Sequence, residues 1–362
     1  MKEAMEILRK INKAGYESYI VGGAARDLLL KINTVDFDIT TKALPKELIK
    51  VFEGYKVVLG DFLSVTLTYN KKEYIITTFR KEGKYLRNRT PITFKPVRRV
   101  KKDLKRRDFT INTLLINHKG KLVDYYHGKE DIDAKIIKTV SKPMKTFQID
   151  ALRILRAIRF AATLEFDFDS KTEAALIKKA HLVKKLSAFR RKSELLKILS
   201  AKDLKRSISL LKKYKIDQYL EIKKLEDLTY VPEMIGIFSQ LDINLEDWGF
   251  AKSEKKDIIA LRRLLANDLD IFSLLTSNFN LFSLAVSIKG EPADQIMKQY
   301  QNLSTKKPED LDITSTQIKI ILGEKDKDLI TTVREEIFKN IIKGNLENEF
   351  QEIKKYIIKM YK

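Results

Sequence analysis

The chain has 362 residues, with 71 Lys+Arg against 49 Asp+Glu and a formal net charge of +22. It has no cysteine and only three scattered histidines, His118, His127 and His181, which excludes a disulfide scaffold, a Cys-ligated zinc site and a thiol nucleophile and argues against a His-ligated zinc. No run of about 18 apolar residues is present to span a bilayer, the first residues lack the apolar core of a signal peptide, and the basic balance points to a polyanionic partner. The expectation is a soluble cytoplasmic protein of two or more domains.

Residues 1–14 place Met1, Ala4, Met5, Leu8 and Ile11 at helical spacing, and Gly15 ends that predicted helix. Tyr19-Ile20-Val21 reads as a short strand stopped by Gly22-Gly23. Val35 to Ile39 alternates apolar and acidic residues, as a strand with one polar face does. Pro45 opens a helix through Phe52, since proline suits the first helical turn. The Val-, Thr-, Tyr- and Ile-rich stretches 56–69 and 73–79 read as strands, and Thr110 to Asn117 is expected to pair with Lys121 to Asp124 across His118-Lys119-Gly120. The first 140 residues are therefore α+β with a small sheet. After Pro143 the pattern turns helical: no glycine occurs between Gly128 and Gly236, and helical periodicity covers 147–165, 171–185, 190–200 and 203–214 and continues to the C-terminus. Residues 301–310, QNLSTKKPED, form the best late linker.

Asp36 and Asp38 are two apart on a predicted strand, so both carboxylates leave one face. Burying two like charges unpaired is costly, and a divalent cation resolves the repulsion. Mg²⁺ takes one or two carboxylates together with phosphate oxygens. An isolated Asp-x-Asp more often marks the wet face of an edge strand; the preceding Gly22-Gly23 changes that balance. Paired glycines between a strand and a helix let backbone N–H groups approach phosphate, and the helix N-terminus favours the anion. Arg26 and Asp27 follow in the first turn, where Arg26 can bind a triphosphate bidentately. Glycine turn and acidic pair lie thirteen residues apart, Gly23 to Asp36, a constellation suited to two-metal nucleotidyl transfer.

The string GGAARDLLLKINTVDFDITT resembles the signature of class II tRNA nucleotidyltransferases, the CCA-adding enzymes and bacterial poly(A) polymerases of the polymerase β superfamily. DLKRRDFTINT (103–113) is similar to that family's second motif, and the resemblance implies that Arg107 faces the nucleotide while Asn112 bonds sugar or backbone. Asp108 is expected to orient one of the arginines. KLVDYYHGKED (121–131) resembles the head-to-neck hinge motif through Asp124 and Gly128, where Asp124 would also serve as a turn cap. In DALRILRAIRFAAT (150–163), Asp150, Arg153, Arg156 and Arg159 recur every three residues along one predicted helix, with Ala151, Ile154, Leu155, Ile158 and Ala162 on its packing side. The resemblance makes Asp150 and Arg153 a protein template for the incoming base, with Arg156 and Arg159 supporting phosphates or the template. The amide–amidine edges of C and A match a carboxylate acceptor beside guanidinium donors. A surface helix would instead pair Asp150 with Arg153 for about 0.2–0.5 kcal/mol. The family usually has Glu-Asp at this point, and this chain has Ile149-Asp150.

RRKSELLKIL (190–199) resembles a fifth motif, with Arg190 and Glu194 at i,i+4 as support for the template helix. Between the first two motifs, 87–98 lacks periodicity and is read as the flexible loop of enzymes that add the terminal A, with Arg80 and Arg87 as loop candidates. The basic clusters 95–107 and 178–192 are expected to line an RNA face, with Arg98, Arg99, Lys101 and Lys102 as RNA-binding candidates. The tail strings LDITSTQIKIILGE and IIKGNLENEFQEIKKYI resemble the tail of low-GC bacterial CCA-adding enzymes, with Lys325-Asp326-Lys327-Asp328 where the family has a Gly-Pro turn.

The expected fold class is α+β, a small polymerase β-type nucleotidyltransferase head (1–140) followed by an all-helical neck with the nucleotide template (141–202), a helical body (203–300) and a helical tail (301–362) that binds tRNA. The expected reaction is Mg²⁺-dependent transfer of CMP and AMP from CTP and ATP to the tRNA 3′ end with release of pyrophosphate. Catalytic and metal-binding roles fall to Asp36 and Asp38, and nucleotide binding to Gly22, Gly23, Arg26, Arg107, Asn112, Asp150, Arg153, Arg156 and Arg159. The rival readings are an A-adding or poly(A) enzyme of the same class and a catalytically silent RNA-binding protein.

Overall fold

The computed structural model describes all residues except Val35, Lys84, Arg87–Arg89, Ile92, Ala293, Glu324, Lys325 and Lys362, and leaves aside the side chains of Tyr85, Leu86, Thr90 and Pro91. The expectations on Val35, Arg87 and Lys325 lie outside the described residues.

Two compact units divide the chain: residues 1–225 with 246–249, and residues 226–245 with 250–362. The first unit opens with α1 (Lys2–Lys13), which buries Ala4, Met5, Ile7, Leu8 and Ile11 along one stripe. Then come β1 (Ser18–Val21), α2 (Gly23–Leu29), β2 (Ile39–Thr41), α3 (Pro45–Val51), β3 (Lys56–Gly60), β4 (Ser64–Tyr69) and β5 (Lys72–Thr78). The stretch 56–69 is a hairpin, folded at a turn where Phe62 and Leu63 adopt positive φ. β4 alternates as its sequence demands, burying Val65, Leu67 and Tyr69.

A strand arm follows, β6 (Arg80–Glu82), β7 (Tyr85–Leu86), β8 (Thr90–Pro91) and β9 (Phe94–Pro96), with β6 paired to β9 and β7 to β8. Among the described residues of 87–98, β9 returns beside β6 and Val97 N donates to Phe79 O, just beyond β5. Next are α4 (Val100–Leu104), a 3₁₀ turn at Thr110–Asn112, β10 (Leu115–Asn117) and β11 (Leu122–Val123), the last two forming the expected hairpin. The sheet order is β11-β10-β1-β2-β5-β4-β3, antiparallel except for β2 with β5. Val21, Phe79, Val100, Leu104 and Leu115 pack as one cluster and seat α4 on the sheet.

The expected strand over 35–39 is shorter than its alternation suggests. The ladder starts at Ile39, opposite Ile76 and Ile20, and Val21 N still donates to Asp38 O before Gly22 turns the chain away at φ 76°. Asp36 to Asp38 are left extended beyond the paired strand, with Phe37 buried and both carboxylates exposed.

α5 (Gly128–Asp133) and β12 (Ile136–Ile137) lead to α6 (Pro143–Ile149), α7 (Leu152–Leu164), β13 (Asp167–Phe168), α8 (Ser170–Lys179), α9 (Ala188–Leu199) and α10 (Leu204–Lys213). Two devices fasten these helices to the head. Thr110 N donates to Lys138 O and Val140 N to Asp108 O, and β12 pairs in parallel with β13. Gly128 is required by packing: a Cβ there would stand 2.3 Å from Thr110 O. Asp124 accepts from the backbone N–H of Tyr126, Gly128 and Lys129, so in this hinge it is a cap.

The second unit is helical throughout its described residues, with one core around Leu261, Phe282 and Ala285 and another around Ile318, Val333, Ile337 and Ile357. The two tail strings meet there: Asp312 Oδ2 accepts from Phe350 N, and Asn348 Oδ1 accepts from Asp312 N. Thr314 and Gln317 form a capping box for the helix Ser315–Leu322, and Gly323 ends it at φ 65°.

Candidate active site

The site is built where β1, α2 and the end of β2 converge on α4 and α7. Gly22 is the N-cap of α2, and a Cβ on it would lie 3.2 Å from Arg107 Nη1. Gly23 begins the helix, and a Cβ there would face Arg26 Nη2 at 3.7 Å. The glycines thus clear space against two guanidiniums, as a phosphate-binding turn requires.

Asp38 lies one step ahead of Ile39 and is exposed at the mouth of the site. Crowding by surrounding protein pushes its carboxyl pKa up, the Arg107 charge pulls it down, and the charge of Asp36 adds to the rise. Two neighbouring exposed carboxylates are a donor set that a divalent metal satisfies. Among the described residues no third Asp, Glu or His completes a three-residue metal cluster.

Arg107 is held from behind. Asp103, fully buried, accepts from Arg106 Nε and Arg80 N and stands 3.8 Å from Arg107 Nη2. Burial depresses the Arg107 pKa, and Asp103 opposes this most strongly. Arg107 Nε is buried with no hydrogen-bond partner within the protein. Asp103 was not among the sequence candidates, although its i,i+3 and i,i+4 spacing to Arg106 and Arg107 is legible. Arg80, expected as a loop residue, is tied down by Glu82 at 3.6 Å and by the carbonyl of Phe62.

A second buried chain of contacts joins head to neck. Arg26 Nη1 donates to Asn112 Oδ1 (2.7 Å), Asn112 Nδ2 donates to Asp108 Oδ1 (3.1 Å), and Arg156 Nε donates to Asp108 Oδ2 (2.7 Å). Asp108 therefore orients Arg156, not its neighbours Arg106 or Arg107 as expected, because the chain turns inward at Asp108 while both arginines stay on the α4 side. Asn112 spends its amide on Arg26 and Asp108, a contact set the sequence did not indicate. Arg159 pairs with Glu194 of α9 at 3.2 Å, and Lys197 approaches the same carboxylate at 3.6 Å. The α7–α9 support expected of Glu194 thus runs through Arg159.

Asp150 is not on the helix that carries the arginines. It sits extended at the end of α6 (φ −142°, ψ 100°), and its Oδ1 accepts from Leu152 N, the first residue of α7. An aspartate at a helix start satisfies an orphan N–H better than one in a helix interior, and this breaks the predicted continuous helix over 147–165 into two. Arg153 Nε lies 3.6 Å from Asp150 Oδ2, and Arg153 Nη2 donates to Arg106 O at 2.7 Å. Burial pushes the Asp150 carboxyl up, and Arg153, the Leu152 N–H and Arg190 counter it. Arg98, Arg99, Lys101 and Lys102 are exposed around the start of α4, apart from this network, with Lys101 over the Tyr125 ring at 5.8 Å.

A glycine turn, an acidic pair and a cluster of arginines on a mixed sheet define a nucleotidyltransferase. The family model "Poly A polymerase head domain" matches residues 18–138, and "Probable RNA and SrmB- binding site of polymerase A" matches 165–225. The CCA-adding enzyme of Streptococcus uberis is 30% identical over 99% of this chain and 96% of its own, and that of Bacillus subtilis 29% identical over 98% and 97%. The Bacillus stearothermophilus CCA-adding enzyme, solved with CTP, superposes with a TM-score of 0.83 at 26% identity over 99% of this chain and 96% of that one. The chain belongs to the CCA-adding enzymes, metal-dependent nucleotidyltransferases that complete the 3′ end of tRNA. Among the described residues no helix is long and apolar enough to cross a membrane.

Proposed function

We propose that this chain adds CMP and AMP to the tRNA 3′ end with Asp36 and Asp38 as the ligands of Mg²⁺. The observation that carries this is the pair of exposed carboxylates, Asp38 within the field of half-buried Arg107, beside the glycine turn that Arg107 also approaches. Bound there, Mg²⁺ would lower the pKa of the RNA 3′-hydroxyl and neutralise the departing pyrophosphate. Gly22 and Gly23 let the triphosphate approach the N-terminus of α2, Arg26 and Arg107 hold its oxygens, and Arg156 and Arg159 stand behind them. Asp150 offers an acceptor and Arg153 donors to the base edge, the pattern that C and A complete. Asn112 acts by holding Arg26. The nucleophile is the RNA hydroxyl, so no covalent intermediate on the protein is needed.

Arg98, Arg99, Lys101 and Lys102 are the phosphate contacts for the acceptor stem, and 141–202, 203–300 and 301–362 act as neck, body and tail. A tRNA substrate supports a cytoplasmic location. The test is to give CTP or ATP separately to tRNA transcripts ending before C, after C and after CC, and to sequence the ends. Asp36→Ala and Asp38→Ala are expected to abolish incorporation while tRNA still binds, since RNA affinity comes from distant phosphate contacts. Substantial turnover by either variant in Mg²⁺ would remove those residues from the chemistry.

A further inference from the structure

α7 fills its buried face with small and aliphatic residues, Ile154, Leu155, Ala157, Ile158, Ala161 and Ala162, and with one aromatic, Phe160. Three guanidiniums surround that ring. The Arg26, Arg156 and Arg159 carbons lie 5.1, 5.3 and 4.7 Å from its centroid. The ring is 6% exposed, and an edge-to-face contact with Phe109 at 5.8 Å and 84° fixes its plane. Arg26 comes from the head and the other two from the neck, so the ring is where the two parts of the site share charge.

Packing alone does not call for this arrangement. Gathering three like charges is unfavourable, and both Arg156 and Arg26 act to depress the Arg159 pKa. Each arginine has an acid on one edge: Asp27 for Arg26 at 2.7 Å, Asp108 for Arg156 at 2.7 Å and Glu194 for Arg159 at 3.2 Å. Each guanidinium has five N–H donors, so an acid on one edge leaves others to spend. The negative face of a phenyl ring attracts guanidiniums without consuming any N–H. The glycine turn lies alongside, since the missing Cβ of Gly23 faces Arg26.

We propose that Phe160 is a positioning residue for the incoming nucleotide, its ring gathering Arg26, Arg156 and Arg159 into one preformed site for the triphosphate. This rests on the reading of the glycine turn and arginines as the triphosphate site. The ring gives affinity by preorganisation, because a cluster that flies apart when empty must be reassembled by each nucleotide. A ring that only fills space would be replaceable by any side chain of its shape.

The test uses the full chain with phenylalanine analogues of rising fluorine content at position 160, which keep the shape and drain the ring's negative face, together with Phe160→Leu and Phe160→Tyr. Dissociation constants for CTP, ATP and inorganic triphosphate are measured without RNA, and tRNA affinity separately. Triphosphate and nucleotide binding should weaken stepwise with fluorine content, reaching about tenfold in Phe160→Leu, with tRNA affinity unmoved and Phe160→Tyr close to the parent. A flat fluorine series, or a folded Phe160→Leu protein with parental triphosphate affinity, overturns the role of the ring. Arg26→Ala separates the two readings: if it leaves triphosphate affinity unchanged, the site itself is misassigned and the inference falls with it; if it weakens binding while the fluorine series stays flat, only the inference falls.

Discussion

Replacing Asp108 with asparagine tests the joint between head and neck. The Asp108 carboxylate accepts from Phe109 N at 2.8 Å, from Asn112 Nδ2 at 3.1 Å and from Arg156 Nε at 2.7 Å, and it is 8% exposed. Asparagine keeps one acceptor oxygen. If that oxygen stays with Phe109 and Asn112, the new NH₂ faces the Arg156 donors and the pair is lost. Removing one partner of a buried pair costs about 3–5 kcal/mol. The Arg156 side chain is 31% exposed, so water recovers part of this, and about 2–3 kcal/mol is the expected loss. Trp248, the sole tryptophan and 2% exposed in the first unit, reports that unit's unfolding in urea.

The pH dependence has a definite sign. Burial alone would raise the Asp108 pKa, but the Arg156 charge, the Asn112 hydrogen bond and Arg153 outweigh it and hold the group well below the usual carboxylate range. A depressed folded pKa adds stability above the unfolded value of about 3.9, which is lost as pH falls below it. The gap between parent and Asp108→Asn should stay constant from about pH 5 to 8 and narrow progressively below about pH 4 as pH falls toward the folded value. A difference under about 0.5 kcal/mol at neutral pH, or a gap that persists into strong acid, would refute the pairing.

Gly128→Ala should destabilise the first unit by about 1–3 kcal/mol, since its methyl would meet the Thr110 carbonyl at 2.3 Å; Trp248 fluorescence in urea reads this, and a neutral outcome would mean the hinge yields freely. Neutralising Arg98 or Arg99 should lower the slope of log tRNA affinity against log salt by about one per lost phosphate contact, whereas a salt-independent affinity would remove these residues from the RNA face. Replacing Asp150 and Arg153 together with alanine should compress the ratio of kcat/KM for CTP and ATP over UTP and GTP, with a general loss of rate. Equal slowing of all four nucleotides would reduce the two residues to an ion pair.

Signals confined to one element were legible in the sequence; those made by tertiary crossing were not. The glycine turn and the α1 stripe are local and the structure realises both, while the Asp36/Asp38 alternation survives as exposure around buried Phe37 but outside a strand. The break at Asp150 was missed because periodicity counts apolar positions and is blind to a side chain that leaves the helix to cap the next one. Asp108 was assigned to the wrong arginine because Arg106 and Arg107 are adjacent in sequence while Arg156 is 48 residues away. Arg159 reaches Glu194 from another helix, a contact equally invisible in the sequence. Phe160 carried no signal, since an aromatic on a packing face is ordinary until three arginines are seen around it.

Selecting a base without a nucleic-acid template requires hydrogen-bonding groups that do not move to suit a wrong partner. If Asp150 and Arg153 read the base as proposed, the anchoring of the pair supplies that stiffness. Asp150 Oδ1 is bound to the α7 backbone, and Arg153 Nη2 is bound to the carbonyl of Arg106, one residue before Arg107 and two before Asp108. The segment that steadies the base reader is the same one that presents Arg107 toward Gly22 and, through Asp108 and Asn112, holds Arg26. A base that leaves the pair unsatisfied forfeits about 1–3 kcal/mol per unpaired buried group. On that proposal it would not recover this by shifting the reader without also pulling on the arginines proposed to hold its phosphates. Base identity and phosphate position would then be tied through three consecutive residues, Arg106 to Asp108, and discrimination would be expressed where the α-phosphate must meet the RNA hydroxyl.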